Sequence, residues 1–522
     1  MHSRRSSRQF GRLWQACLIL ILATFSGTAR AEWHRSSSSH FVVYANTSER
    51  DIRRISEKLE KFHAAVALVT STKTPPPSPS SRVTVYVVKD EEQVRKLKGG
   101  DNRFVAGFYI PRASGSIAIV PQINAGSGPT DFSLTVLLHE YSHHFLISAS
   151  GFPMPRWYSE GAAEYFASAR FKDDGTVEVG LPAMHRAGEL FFAKDVHVSD
   201  LLDPAAYEAR KSKEYDAYYG KSWLLYHYLV NNPERKGQMK TYLTELVKGK
   251  SLRDAALTAF GDFKKLEKDL DRYMLSRNMM LLRLPAEWIV IDPITVTKLD
   301  AAEAAILPLV IRSQRGVDEK LATPLLAEVR AVAARFPQHP AVLSALAEAE
   351  HDAGNFAAAI AAADAALAID KTQVNAHVQK GYALFALAEK SGEDADFTKA
   401  RRAFVALNTI ENDHPVPLIY YYTTYLRQGK PPQLAVDGLT YASALAPYDL
   451  GLRMTLAMQQ IKDRKLLAAR ASLSTIAANP HPDSLSKRAR KVLDRLDKEP
   501  EWDGSGLVEE VEEKADAEAE AK

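Results

Sequence analysis

The chain has 522 residues, too many for one ordinary hydrophobic core, so two or three domains are expected. Hydrophobic residues make up 46% and charged residues 25%, the balance of a globular protein and not of a disordered one. With 67 basic against 64 acidic residues, the formal net charge is only +3, which gives no case for a nucleic-acid partner.

Residues 1–31 read as a secretory signal. Arg4, Arg5, Arg8 and Arg12 make a positive start, residues 13–25 an apolar run, and Ala29-Arg30-Ala31 a small-residue cleavage pattern before Glu32. The apolar run is short against the roughly 20 residues of a membrane span, so cleavage is expected and no stable span remains. Loss of five arginines takes the basic count from 67 to 62 against 64 acids, a net charge of about −2 for the mature chain. The single cysteine, Cys17, lies inside the signal, so the mature chain has no disulfide and no thiolate. Any metal site must then be built from His, Asp and Glu. Export without disulfides is compatible with secretion across an inner membrane into a periplasm.

After the serine run at 36–39, residues 40–44 (HFVVY) form a short strand candidate. Ile52, Ile55, Leu59, Phe62 and Val66 then recur at helical spacing, with Ser48 placed to cap the helix. The proline cluster at 75–79 breaks the chain. Residues 83–88 (VTVYVV) are a clear strand, followed by strand candidates at 105–110 and 116–120. This β-α-β-β order leads into a helix expected over 131–146, just after Gly128-Pro129-Thr130. Further helices are expected over 161–170, 215–230, 239–247, 252–260 and 263–280, with a turn at Asp173-Asp174-Gly175. Residues 288–291, between Pro285 and Pro293, read as a strand or linker at a domain boundary.

Beyond about residue 300 the chain becomes alanine-rich and helical, with self-similarity at a period near 34–38. The clearest unit runs over 340–373 and carries Gly354-Asn355-Phe356 between two helical stretches. Gly381-Tyr382, Gly429-Lys430 and Asp463-Arg464 mark three more. The pattern is similar to tetratricopeptide (TPR) repeats, pairs of antiparallel helices whose stacking buries one continuous core and leaves a groove for a protein partner. The tail from Asp503 is acidic and poor in apolar residues, and is expected to be disordered.

The chemistry concentrates in residues 137–165, LLHEYSHHFLISASGFPMPRWYSEGAAEY. His139-Glu140-Tyr141-Ser142-His143 is an H-E-x-x-H pattern. Residues four apart share a helix face, so two imidazoles can reach one metal ion with Glu140 beside them. A third ligand is required. The metzincin extension would need Gly at 146 and His at 149, where this chain has Leu146 and Ala149.

Fourteen residues after His143 begins Trp157-Tyr158-Ser159-Glu160-Gly161-Ala162-Ala163-Glu164-Tyr165, with sixteen residues between His143 and Glu160. H-E-x-x-H followed by W-x-x-E-G-x-A-x-Y resembles the gluzincin zinc peptidases, and among them the peptidase MA-like domain, over residues 38–280. The resemblance implies that Glu160 is the third ligand of a Zn2+ site with His139 and His143, a His₂Glu set with an open position for water. It implies Glu140 as general base. It implies Glu164, one helical turn on, as an acid bonded to the far nitrogen of a ligand histidine, His139; the plainer alternative is a solvated surface glutamate. The family's oxyanion-binding tyrosine maps onto Tyr219, with Tyr218 and Tyr215 as competitors and core packing as the alternative. Residues 116–120 correspond to the edge strand that pairs with an extended peptide. His144 points about 100° away from His143 and is read as packing; His185, His197 and His227 are read as structural.

The fold class expected is α+β, a zincin-like domain of mixed sheet plus active-site helices, followed by an all-α solenoid. The boundaries expected are a signal at 1–31, a zinc domain at 32–284, a linker at 285–319, repeats at 320–490 and an acidic tail at 491–522. The function expected is hydrolysis of peptide bonds in a peptide or protein substrate, with the repeats recruiting substrate or partner. The competing expectation is a non-catalytic scaffold or assembly factor carrying a latent peptidase-like domain.

Overall fold

A computed structural model describes residues 32–505 except 74, 100–105, 124–125, 127–130, 151, 211–213, 430 and 481–482. The expected signal with Cys17, the chain beyond 505, the turn at 128–130 and Gly151 lie outside the described residues.

The first part is a sheet with helices on both faces. In chain order it holds β1 (Trp33–Ser37), β2 (Phe41–Asn46), α1 (Glu49–Thr70), β3 (Val83–Val87), α2 (Glu91–Lys98), β4 (Phe108–Ile110), β5 (Ile117–Val120), α3 (Phe132–Ala149) and α4 (Arg156–Ala167). There follow β6 (Arg170–Phe171), β7 (Val177–Val179), α5 (Ala187–Phe192), α6 (Val198–Leu201), α7 (Pro204–Glu208), α8 (Tyr218–Asn231), α9 (Gln238–Val247), α10 (Leu252–Phe260), α11 (Phe263–Met274), β8 (Leu282–Leu284) and β9 (Thr295–Lys298). The main sheet has strand order β4-β5-β3-β2-β1-β9. Its β2, β3 and β5 are parallel, and β1, β9 and β4 run antiparallel to their neighbours. A small antiparallel sheet, β6-β7-β8, lies apart.

Alternation along the strands divides the sheet's side chains between two cores. Val83, Val85, Val87, Ala118 and Val120 pack with α1 and α3. Tyr86, Val88, Ile117 and Ile119 pack on the other face with Val94 and Leu97 of α2. That second face also takes Leu307 and Ile311, from the first helix beyond the expected zinc domain.

Two sequence expectations change here. The segment 285–319, read as a linker, supplies the sixth strand, since β9 pairs with β1 at His34↔Lys298 through Ser37↔Thr295. Residues 288–291 themselves are no strand; a single 3-10 turn spans Ala286–Trp288. Residues 116–120 are not the edge. β5 is flanked by β3 and β4 and buried throughout, and the edge on that side is β4. The β4-β5 hairpin adds one antiparallel strand beyond the parallel set, and a three-residue strand beside a turn carries too little pattern to reveal that.

The second part is a stack of helical hairpins: α12 (Ala301–Gln314) with α13 (Glu319–Arg335), α14 (Pro340–Asp352) with α15 (Phe356–Ile369), and α16 (Val374–Ser391) with α17 (Asp394–Ile410). It continues with α18 (Pro415–Arg427) and α19 (Gln433–Leu445), then α20 (Leu450–Lys462) and α21 (Leu466–Ala477), and closes with α22 (Ser484–Lys498). Gly354 ends α14 at φ +76°, a left-handed turn that Gly adopts without strain, and the next helix begins two residues later. The expected tail does not begin at 491. Val492, Leu496 and Trp502 are buried in the last core with Leu473 and Ile476, so the ordered chain runs on past α22.

The stack docks on the first part through several of its helices and connecting turns. Ser80 Oγ donates to Glu411 Oε2 at 2.7 Å, the Ala113 N–H donates to Asp449 Oδ2 at 2.8 Å, and Tyr86 Oη donates to Gln314 Oε1 at 2.6 Å. The Tyr448 ring lies 4.4 Å from that of His144 on α3.

Candidate metal centre

The site is carried by α3, α4 and α8. Asp131 caps α3, accepting the Leu134 N–H at 2.7 Å. The helix is buried on nearly every side, which places His139 and His143, one turn apart, in the interior at 8% and 5% exposure. A short connection with Pro153 and Pro155 returns the chain into α4, which starts at Arg156 and so includes the whole W-Y-S-E-G run. Proline at the cap position and at 153 suits a sharp entry, because its φ is preset and no N–H is lost from the helix.

Helix α4 lies unusually close to α8, and Gly161 is the reason. A Cβ at position 161 would stand 2.4 Å from the Ser222 carbonyl oxygen and 2.8 Å from Tyr226 Cβ. The glycine after Glu160 therefore sets the helix separation that brings Tyr218 and Tyr219, at the start of α8, near the Glu160 carboxylate.

His139 Nε2 is 3.1 Å from His143 Nε2, and Glu160 Oε2 is 3.4 Å from the first and 3.3 Å from the second. A tetrahedral zinc with ligand bonds of about 2.0–2.1 Å requires donor separations of about 3.3–3.4 Å. The donor triangle fits that ion, and the donor chemistry, two imidazoles and one carboxylate, fits it as well. The opposite ring nitrogens are also held. His139 Nδ1 is 3.1 Å from Glu164 Oε1, and His143 Nδ1 is 3.1 Å from Ser159 Oγ. Partners on both Nδ1 atoms favour the tautomer that leaves each Nε2 lone pair facing the centre.

Glu160 and Glu164 are fully buried carboxylates. Burial works against their ionisation, yet His143 and His139 hold Glu160 below the usual carboxylate range, and His139, His185 and Arg186 hold Glu164 well below it. Burial likewise opposes a charged His139, but Glu164 and Glu160 outweigh it and push its pKa up to about 10. Two buried anions, with Arg186 against Glu164 and the charge of Arg156 felt by Glu160, make this a place that favours further positive charge, which a proton or a divalent cation can supply.

Glu140 is half-buried, and among the described residues no side chain hydrogen-bonds or ion-pairs with it, so its carboxylate is available for proton transfer. Of the three tyrosines, Tyr215 is drawn away: it is 70% exposed and its hydroxyl donates to Glu189 Oε2 at 3.1 Å. Tyr218 is buried, with the Arg156 guanidinium 4.2 Å above its ring. Tyr219 is half-buried; burial, and then the charge of Glu160, push its hydroxyl up to about 12, so it stays a donor at neutral pH.

His185 has a different place from the isolated structural one read in the sequence. Its Nε2 bonds to Glu164 Oε2, and Arg186 Nε donates to Glu164 Oε1 at 2.9 Å. Both residues sit in the turn before α5, more than twenty positions from Glu164, where no local pattern could connect them. Ser159 was missed too; its only signal is its position beside Glu160 in the W-Y-S-E-G run. His144 packs, as expected, between Tyr141, Tyr109 and Tyr448. His227 is tied to the Gly180 carbonyl and the Tyr273 hydroxyl, each at 2.8 Å. His197 joins Asp195 and Glu267 in a second acidic group, but Lys221 Nζ lies 2.6 Å from Glu267 Oε1 and already neutralises it.

No protein-family model matches the chain, and no curated protein matches it. Among solved structures, a thermophilic TPR protein from Thermus thermophilus matches at 17% identity with a TM-score of 0.33, covering 37% of this chain and 99% of that one.

Proposed function

We propose that the chain is a zinc-dependent peptidase of gluzincin type, joined to a tetratricopeptide-like repeat stack and exported to a periplasm. The observation that carries this reading is the 3.1–3.4 Å triangle of His139 Nε2, His143 Nε2 and Glu160 Oε2, with Glu140 next to His139 in the chain. Zinc held there would supply Lewis-acid activation of water near neutral pH. Glu140 takes the proton of the attacking water and passes it to the leaving amine, so the C–N bond breaks without a covalent enzyme intermediate. Tyr219 donates its hydroxyl hydrogen to the oxygen on which negative charge develops. Glu164 orients His139, and Ser159 orients His143.

The test begins with metal analysis of the purified mature chain, with about one zinc per chain expected. A broad peptide library should be cut by this protein and not by Glu140→Gln, which should keep its zinc. A chain with no stoichiometric zinc, or cleavage that survives Glu140→Gln, sinks the catalytic reading.

The second reading is a scaffold in which the peptidase-like part is latent. The repeat stack favours it: nearly two hundred residues of stacked hairpins are a protein-interaction architecture. That stack meets the sheet part of the same chain at Ser80, Ala113 and His144, so part of the surface that the sequence offers to a partner is used internally. In this reading zinc binds, no peptide is cut, and a protein partner is captured by the repeats.

A further inference from the structure

A second cavity lies far along the chain from the metal centre, where the loop after β4 meets α12, α14 and α16. Its volume is about 480 Å³, within the range that holds a small ligand. At one side is Arg112, half-buried. Among the described residues no carboxylate comes within ion-pairing distance of its guanidinium, although it feels the charges of Glu348 and Asp352. At the other side are those two acids on α14, one helical turn apart, both accepting from Ser313 Oγ, at 3.2 and 2.8 Å.

Between them a short relay fixes the orientation of two amides. Asn375 Nδ2 donates to Glu348 Oε2 at 2.9 Å, an oxygen that accepts whether the carboxyl's proton is on Oε1 or absent. The Asn375 oxygen must then face the other way, where it accepts from Gln379 Nε2 at 3.2 Å. Gln379 is 6% exposed and lines the cavity, and its Oε1 is left as a buried acceptor with no donor. A buried unsatisfied acceptor is destabilising, so a site that keeps one is built for something that donates. Burial, and then Asp352, push Glu348 up to about 7, and a cation at this side would relieve that repulsion.

We propose that this cavity binds a small zwitterion, a free α-amino acid or dipeptide, with its ammonium on Gln379 Oε1 and the Glu348–Asp352 pair and its carboxylate on Arg112. The ligand needs both charges because the cavity offers acceptors on one side and, on the other, a guanidinium with no carboxylate in ion-pairing distance among the described residues. Nothing in this assignment depends on the metal centre being catalytic. It gives the junction between sheet and repeats a ligand that touches both.

The experiment is calorimetric titration of the full mature chain with alanine and with dialanine. The controls are N-acetyl-dialanine, which lacks the ammonium, and dialanine amide, which lacks the carboxylate. Saturable binding of alanine, dialanine or both is expected, and the alanine arm separates a free amino acid from a dipeptide ligand. Blocking either end should weaken binding about tenfold or more, the loss of one charge-assisted contact. Arg112→Met should abolish it, and Gln379→Leu, nearly isosteric, should weaken it about tenfold while leaving the circular dichroism unchanged. No saturable binding, equal binding of the blocked forms, or undiminished binding in Gln379→Leu overturns the proposal. So does binding that is lost on chelation and kept in Arg112→Met, which would assign the ligand to the candidate site of His139, His143 and Glu160.

Discussion

His139 Nδ1 and Glu164 Oε1 meet at 3.1 Å in the interior, and the same carboxylate is gripped from its other side by His185 and Arg186. The His139 imidazole is thus held through a glutamate that is itself held. Glu164→Gln keeps the shape but loses the charge that raises His139 basicity. We expect zinc affinity to fall about 10–100-fold in that variant, and less in Ser159→Ala, which removes a neutral hydroxyl from His143. Competition with a fluorescent zinc chelator measures both. Equal affinity in Glu164→Gln and the parent would mean that the carboxylate is structural.

Gly161 makes a sharper prediction because it touches no ligand. Gly161→Ala forces a methyl to within 2.4 Å of the Ser222 carbonyl, so α4 and α8 must separate. The expected cost is about 1–3 kcal/mol in urea unfolding, with weakened zinc binding as Glu160 moves with its helix. Unchanged stability would show that the helices slide apart freely.

Cutting the chain at 284 should not yield a folded fragment. The fragment 32–284 lacks β9, the partner of β1, and α12, whose Leu307 and Ile311 cover Tyr86, Ile117 and Ile119. Insolubility or loss of cooperative unfolding is expected, whereas a chain continued through α12 restores both layers. A soluble, cooperatively folding 32–284 fragment would contradict this.

Glu348 gives a pH signature. It faces Asp352, Arg112, Tyr382 and Tyr86, and its pKa is raised to about 7, so in the folded chain it holds a proton that the unfolded chain has released. Its neutral form is favoured by folding, and its contribution is therefore complete below about pH 4.5 and lost as pH rises to about 7. Because the side chain is half-buried and screened, roughly 1 kcal/mol is expected. Glu348→Gln should flatten the fall in stability over that window, read from unfolding midpoints at a series of pH values.

Much of the centre follows from local spacing. His139 and His143 share a helix face because four residues make about one turn, and Glu160 and Glu164 share another for the same reason. The repeat units are equally local, since their turns carry short local signals, as at Gly354-Asn355 and Asp463-Arg464. Even the requirement for a third ligand is chemistry that two histidines impose. Tertiary structure alone decided the rest. Ser159, His185 and Arg186 join the site because a chain reversal and a distant turn deliver them. Tyr215 leaves it because Glu189 takes its hydroxyl. β4, not β5, became the edge, and β9 and α12 joined the sheet from a stretch that looks like a linker. A contact between residues far apart in sequence leaves no periodic trace in either segment. Its energy arises only when packing brings the two together, so only the folded chain reveals it.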